Sequence, residues 1–281
     1  MPETPSDYAN AHLLLAPRDL ARELKQAGPD DLLLLDLRPP DAYSAGHIAG
    51  AIHLDLWGVS LIDTDPAPLR AFTWMIEHVL AVHGVNGSTP VVVYEEQSGI
   101  RAARAFWFFE YFGHPSVRLL DGGFNAWTRE GLPVTQDARP VVTTEWTGRR
   151  EERTIATWRD VRAAMSDGET VILDTRSDDE FCGTLVRAKR GGHVPGAVHI
   201  EWTRNLTAAG HFKPAGELRA MYEEAGVTAE RPVITYCQGG YRAAHSYLAL
   251  RLLGYNVRNY IGSWKEWGDR EELPIEVPGR K

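Results

Sequence analysis

The stretch Val233-Ile234-Thr235-Tyr236-Cys237-Gln238-Gly239-Gly240-Tyr241-Arg242-Ala243-Ala244 decides how this chain is read. An apolar, β-prone run stops at a cysteine, turns through Gly-Gly and meets an arginine opening an Ala-rich helix. That order is strand, loop, helix, the unit of a parallel α/β sheet. Ligand sites in such sheets lie at the carboxyl ends of strands, where Cys237 stands. Loop N–H groups and the helix N-terminus converge there and favour a thiolate. An ordinary thiol, with a pKa of about 8.5, is only ~3% ionised at pH 7, and a helix N-terminus raises that fraction. Cys237 is therefore the candidate nucleophile.

Working outward, the chain repeats itself once. Asp36-Leu37-Arg38 is matched by Asp174-Thr175-Arg176, and Gly46-His47-Ile48-Ala49-Gly50-Ala51 by Gly192-His193-Val194-Pro195-Gly196-Ala197. Pro90-Val91-Val92-Val93-Tyr94 answers Pro232-Val233-Ile234-Thr235-Tyr236, Arg101-Ala102-Ala103-Arg104 answers Arg242-Ala243-Ala244-His245, and Trp127 answers Trp267. Blocks in one order, about 140 residues apart, indicate two tandem domains, because the period is too long for a solenoid. Leu32-Leu33-Leu34-Leu35 and Val171-Ile172-Leu173 read as buried strands ending at an aspartate, and each copy reads as a mostly parallel central sheet flanked by helices. The expected division is 1–137 for the first domain, 138–152 for a linker and 153–281 for the second.

Composition narrows the class. With 43% hydrophobic and 24% charged residues among 281, the chain is expected to be a globular protein of one or two domains. It has no apolar run near ~20 residues, so no membrane span is expected. The start, Met1-Pro2-Glu3-Thr4-Pro5-Ser6-Asp7, lacks a leader pattern, and two cysteines make a disulfide framework improbable, so a reducing cytoplasm is the expectation. No metal-ligand spacing is present, and a net charge of −8 argues against nucleic-acid binding. Residues 1–137 carry 9 Lys+Arg against 18 Asp+Glu, whereas residues 138–281 carry 21 against 20. The half holding Cys237 is thus the less acidic, as suits an anionic substrate.

The Asp-x-Arg strand end, the Gly-His-Val-Pro-Gly-Ala motif and the cysteine loop resemble the rhodanese sulfurtransferase family in its tandem form, over nearly the whole chain. The resemblance implies an inactive N-terminal domain and an active C-terminal one. It also implies that Cys237 accepts a sulfane sulfur as a persulfide and passes it to a thiophilic acceptor, without a cofactor. Glu95 stands in the first copy where Cys237 stands in the second, and a carboxylate cannot form a persulfide. Cys182, opposite Ser44, reads as a small structural residue.

In the loop Cys237-Gln238-Gly239-Gly240-Tyr241-Arg242, the glycines let successive N–H groups turn inward around a terminal sulfur. Arg242 is expected to bind the anionic donor. Related phosphatases use Cys-x5-Arg, whereas Cys237 to Arg242 is Cys-x4-Arg, a smaller ring that suits sulfur better than a tetrahedral oxyanion. Between the strand-end aspartate and the histidine lie 11 steps in the first copy, Asp36 to His47, and 19 in the second, Asp174 to His193. The insertion brings Arg187, Lys189 and Arg190, which are expected to border the mouth and attract the donor. Asp174, Arg176 and His193 are expected to be structural, and Trp202, Trp264 and Trp267 either wall the pocket or fill the core.

For the donor, relatives that use mercaptopyruvate show a Cys-Gly-Ser/Thr-Gly-Val loop and an arginine six residues after the strand-end aspartate. This chain has Cys-Gln at the first place and Glu180 at the second, and Glu180 is expected to repel a carboxylate substrate. The expected function is thiosulfate sulfurtransferase, with cyanide, a thiol or a thioredoxin-like protein as acceptor. The alternatives are a 3-mercaptopyruvate sulfurtransferase, a phosphatase or arsenate reductase of the same fold, and a non-catalytic sulfur-sensing module.

Overall fold

The computed structural model describes residues 7–28, 30–146 and 148–278. Residues 1–6, where no leader is expected, and Thr147 of the expected linker lie outside the described residues. Each repeat forms a five-stranded sheet with the same strand order. In the first it runs Leu14–Leu15, Val117–Leu120, Val91–Tyr94, Leu33–Asp36, Ala51–His53. In the second it runs Ile155–Ala156, Val257–Tyr260, Val233–Tyr236, Val171–Asp174, Val198–His199. Every neighbouring pair in both sheets is parallel. The central strands are buried at every position, which is why they read as unbroken apolar runs rather than alternations. The α/β expectation holds.

Helices begin where local chemistry favours it. Pro17, Pro40 and Pro66 open helices Pro17–Gln26, Pro40–Ala45 and Pro66–Val82, at the position where a missing N–H costs nothing. Thr157 with Asp160 and Ser177 with Glu180 form capping boxes on helices Trp158–Asp167 and Asp178–Phe181.

The repeated motifs are repeated geometries. Arg38 meets Asp36, and Arg176 meets Asp174, at 2.6 Å with both pairs buried. Each arginine also donates to a carbonyl at 2.7 Å, of Gly46 and Gly192 respectively, so the pair ties the strand end to the following motif. The His193 ring bonds the Phe181 carbonyl at 2.9 Å and stacks on Phe181 at 3.7 Å, as His47 does with Tyr43 at 3.0 and 3.9 Å. These are packing and hydrogen-bonding positions.

The two domains share one apolar core. Helices Ile100–Tyr111 and Tyr241–Leu252 pack on each other, and Phe106 and Phe109 belong to the same cluster as Tyr247 and Leu248. Glu110 crosses the seam to accept from Tyr247 at 2.6 Å and Arg251 at 2.9 Å. Residues 138–146 and 148–151 carry no helix or strand, and Glu152 of the expected linker opens a short 3-10 turn, Glu152–Thr154. They are strapped to the first domain by Thr144, whose N–H donates to Ala81 at 3.0 Å, and by Arg150 on Glu77 at 3.0 Å.

Candidate active site

Strand Val233–Tyr236 delivers Cys237 to the base of helix Tyr241–Leu252, where the residue is buried, 1% exposed. Gly240 caps that helix with φ at +86°, a left-handed conformation that Gly adopts without strain. Its N–H donates to Cys237 Sγ at 3.1 Å. The Cys237 N–H donates to Ser263 Oγ at 3.1 Å, and the Cys237 and Gln238 carbonyls accept from Trp264 and Lys265 N–H at 2.9 Å. The backbone of Cys237 and Gln238 is therefore fixed on both sides, and the sulfur meets the Gly240 N–H, a donor that stabilises negative charge.

The Glu95 loop repeats this scaffold with a different occupant. Phe124 and Asn125 N–H bond the Glu95 and Glu96 carbonyls at 2.7 and 2.8 Å, mirroring Trp264 and Lys265. The Glu95 side chain folds back into its own loop and accepts from the N–H groups of Arg101 at 2.6 Å and Ala102 at 3.0 Å. A carboxylate thus fills the anion position at the base of helix Ile100–Tyr111. Burial pushes its pKa up to about 7, against the pull of the Ala102 and Arg101 N–H groups.

The cations around Cys237 are arranged differently from expectation. Arg242 grips Glu180 through both guanidinium nitrogens, at 2.5 and 2.9 Å, with Glu180 only 2% exposed. Burial alone would raise the Glu180 pKa, but the Arg242 bond and charge hold it down to about 2. Burial likewise opposes the Arg242 charge, which Glu180 and the nearby Cys237 restore and raise. Arg242 is therefore not a free anion receptor, and Glu180 is not a free repelling charge. The expectation that Glu180 rejects a carboxylate substrate falls, because its charge is matched by a bidentate partner.

The insertion does reach the loop: Gln238 Nε2 donates to the Arg187 carbonyl at 2.9 Å. The Arg187 guanidinium is 55% exposed and pairs loosely with Glu180 at 3.8 Å. Lys189 is exposed, and its N–H donates to Asp269 at 2.7 Å. Arg190 departs from the expected donor-binding role. Its guanidinium donates to the carbonyls of Gly268, Leu273, Trp267 and Arg270, which makes it a clamp on the turn after helix Ser263–Trp267. Trp264 and Trp267 lie in the core rather than in a pocket wall, and Trp202 packs edge-on against His245 at 5.0 Å. Cys182 is exposed at the end of helix Asp178–Phe181.

Ser263 escaped sequence reasoning. Among the described residues it alone combines a side chain with positive φ, +54°, a conformation costing about 1–2 kcal/mol. Its hydroxyl donates to Tyr260 O at 2.8 Å while accepting from Cys237 N–H. The first copy has Gly123 there, at φ +59°, so aligned Gly-Gly and Gly-Ser pairs were the available signal. The exchange between domains was also missed. The segment after Ala51–His53 crosses to the Cys237 loop, where Tyr241 OH donates to the Leu56 carbonyl at 2.5 Å. The segment after Val198–His199 crosses to the Glu95 loop, where Ser98 N–H donates to the Gly210 carbonyl at 2.9 Å and His211 meets Asp121 at 3.0 Å.

Comparison with known proteins agrees with this architecture. The family model described as "Rhodanese-like domain" matches twice, over residues 16–130 and 157–270. A protein of Pseudomonas aeruginosa named thiosulfate sulfurtransferase is 31% identical over 278 residues, covering 97% of this chain and all of that one. The sulfur carrier protein TtuD of Thermus thermophilus is 36% identical over 250 residues, 83% of this chain and 86% of that one. The anaerobic ergothioneine biosynthesis enzyme of Chlorobium limicola superposes with a TM-score of 0.84 at 21% identity, covering 96% of this chain and 71% of that one. At that identity it shows the fold alone. No described helix is long and apolar enough to cross a membrane. With two matched domains and relatives named for sulfur transfer along most of its length, the chain belongs to the rhodanese family, as a tandem-domain sulfurtransferase.

Proposed function

We propose that the protein is a thiosulfate sulfurtransferase in which residues 153–281 form the catalytic domain and residues 1–137 a domain without chemistry of its own. The observation that carries this reading is the pair of equivalent loops, one holding a thiol against the Gly240 N–H and the other closed by its own carboxylate. The Cys237 thiolate attacks the outer sulfur of thiosulfate, the S–S bond breaks, and sulfite leaves with the electron pair. A persulfide stays on Cys237. An acceptor, cyanide or a thiolate such as that of a thioredoxin-like protein, attacks the terminal sulfur and regenerates the Cys237 thiolate. The residues Gln238, Gly239, Gly240 and Tyr241 frame the sulfur, Arg187 and Lys189 draw the anionic donor, and Arg242 with Glu180 braces the loop.

Mass measurement after thiosulfate treatment is expected to find one added sulfur on the wild type and none on Cys237→Ser; equal uptake by both would sink the assignment. A parallel rate assay with thiosulfate and mercaptopyruvate decides the donor. A mercaptopyruvate preference above ~10-fold, about 1.4 kcal/mol of transition-state discrimination, would overturn thiosulfate. Hydrolysis of an aryl phosphate lost in Cys237→Ser would instead favour phosphoryl chemistry.

A further inference from the structure

Arg104 lies on helix Ile100–Tyr111 of the first domain, yet its guanidinium reaches the Cys237 loop. Nη1 donates to the Gly239 carbonyl at 3.0 Å and Nη2 to the Val59 carbonyl at 3.2 Å. The residue is 1% exposed, its Nε is buried without a hydrogen-bond partner, and its guanidinium sits 4.1 Å from the centre of the Tyr241 ring. Burial lowers its proton affinity, and ionisation of the Tyr241 hydroxyl or the Cys237 thiol would oppose this. A buried guanidinium without a carboxylate carries a steep desolvation penalty, which is relieved when an anion forms nearby.

The contact with Gly239 also has a directional consequence. In a trans peptide the C=O and the following N–H point in opposite directions. Arg104 holds the Gly239 oxygen on one side, and the Gly240 N–H of the same peptide faces Sγ on the other, 3.1 Å away. A Cβ on Gly240 would stand 2.5 Å from Arg104 Nη1, so the two groups are in direct contact.

The Glu95 loop has the mirror arrangement with the charge removed. Ser98 and Gly239 stand three residues before Arg101 and Arg242, and Arg104 and His245 stand three residues after them, so the members of each pair correspond. His245 Nε2 bonds the Ser98 carbonyl across the seam at 2.8 Å. Burial pushes the His245 pKa down to about 4, which leaves a neutral ring beside a loop that already contains a carboxylate. A permanent cation faces the thiol loop, and a neutral imidazole faces the acid loop.

We propose that Arg104 is a positioning residue for Cys237: it turns the Gly240 N–H onto the sulfur and lends an unpaired positive charge to the thiolate and the persulfide that follows. This rests on the reading of Cys237 as the nucleophile. Other charged or titratable groups near the thiol are Arg242 paired with Glu180, the Arg187 guanidinium 3.8 Å from Glu180, the buried Asp174–Arg176 pair at the neighbouring strand end, and Tyr241 against Arg104, with the exposed Lys189 on the same insertion as Arg187.

The test is the rate of Cys237 alkylation by iodoacetamide in a Cys182→Ser background, which reports thiolate whatever the sulfur donor is. Near pH 7, Arg104→Gln is expected to react about tenfold more slowly than its parent, and near pH 10, where thiols ionise unaided, within about twofold of it. Arg104→Lys, which keeps the charge but not the fork, is expected to lose about threefold near pH 7 and to recover in the same way. Equal rates near pH 7, or a loss undiminished near pH 10, would overturn the proposal. If Arg104→Gln fails to give a folded far-UV circular dichroism spectrum, the Arg104→Lys profile decides by the same two outcomes.

Discussion

The Cys237 and Glu95 loops stand at the same place in their domains, follow the same strand, precede the same helix and receive the same pair of N–H donors from the helix beyond. They differ in what occupies the anion position. In one, the side chain stops at a sulfur and leaves the helix N-terminus to whatever the sulfur carries. In the other, the longer Glu95 side chain returns to Arg101 and Ala102 and consumes those N–H groups itself. The comparison teaches that a strand-to-helix loop of this kind is an anion cradle first, and becomes a reactive site only when its own chain leaves the cradle open.

The sharpest way to break the comparison is to exchange the two occupants for neutral isosteres. Cys237→Ser is expected to abolish sulfur uptake, while Glu95→Gln leaves thiosulfate turnover within about twofold, since the proposed function places the chemistry in the Cys237 loop alone. The next largest effect is expected from Gly240→Ala. The left-handed backbone alone costs about 1–2 kcal/mol. The new Cβ would also stand 2.5 Å from Arg104 and 3.0 Å from the Ile261 carbonyl. Urea unfolding should show the loss, and turnover should fall with it.

Glu95 supplies a pH-dependent difference. Its folded pKa of about 7 lies above the ordinary 4.5, so the fold favours the protonated form. That contribution is complete below about pH 4.5 and is lost as pH rises through about 7. Melting temperatures are expected to show Glu95→Gln more stable than wild type at pH 8, by about 1–3 kcal/mol, with the gap closing towards pH 5. A gap that is flat with pH would refute the buried-acid account. The smallest effect belongs to His211, whose pKa is raised by its bond to Asp121 against the lowering effect of burial. Its stabilisation is present below its unfolded pKa and disappears as pH rises through the folded one. His211→Gln should therefore cost about 0.5–1 kcal/mol in mildly acid solution and almost nothing in alkaline solution.

Much of this could be read from the sequence because duplication prints every structural motif twice. Asp-x-Arg, Gly-His and the buried strands announce themselves by recurring, and the missing thiol shows against its copy. What could not be read depends on choices of partner across space. Arg242 and Arg190 look like free cations in sequence, but one finds Glu180 across 62 residues and the other finds a cluster of carbonyls across nearly 80. Glu180 looked like a repelling charge for the same reason. Arg104 was hidden because its significance lies in a contact between domains, which leaves no pattern along the chain, and Ser263 left only a faint one, a Gly-Ser pair aligned with Gly122-Gly123.

The reciprocal crossing of segments between domains has a consequence for how the protein behaves on dilution. Two rhodanese-like units that cover each other's loops are equivalent to the halves of an obligate dimer, and a dimer comes apart when its concentration falls. Here the partner is covalently attached, so its effective concentration is set by the connecting segment and not by the solution. Specific activity per chain should accordingly be the same at nanomolar and micromolar protein, with the Cys237 loop carrying its supporting surface wherever the chain goes.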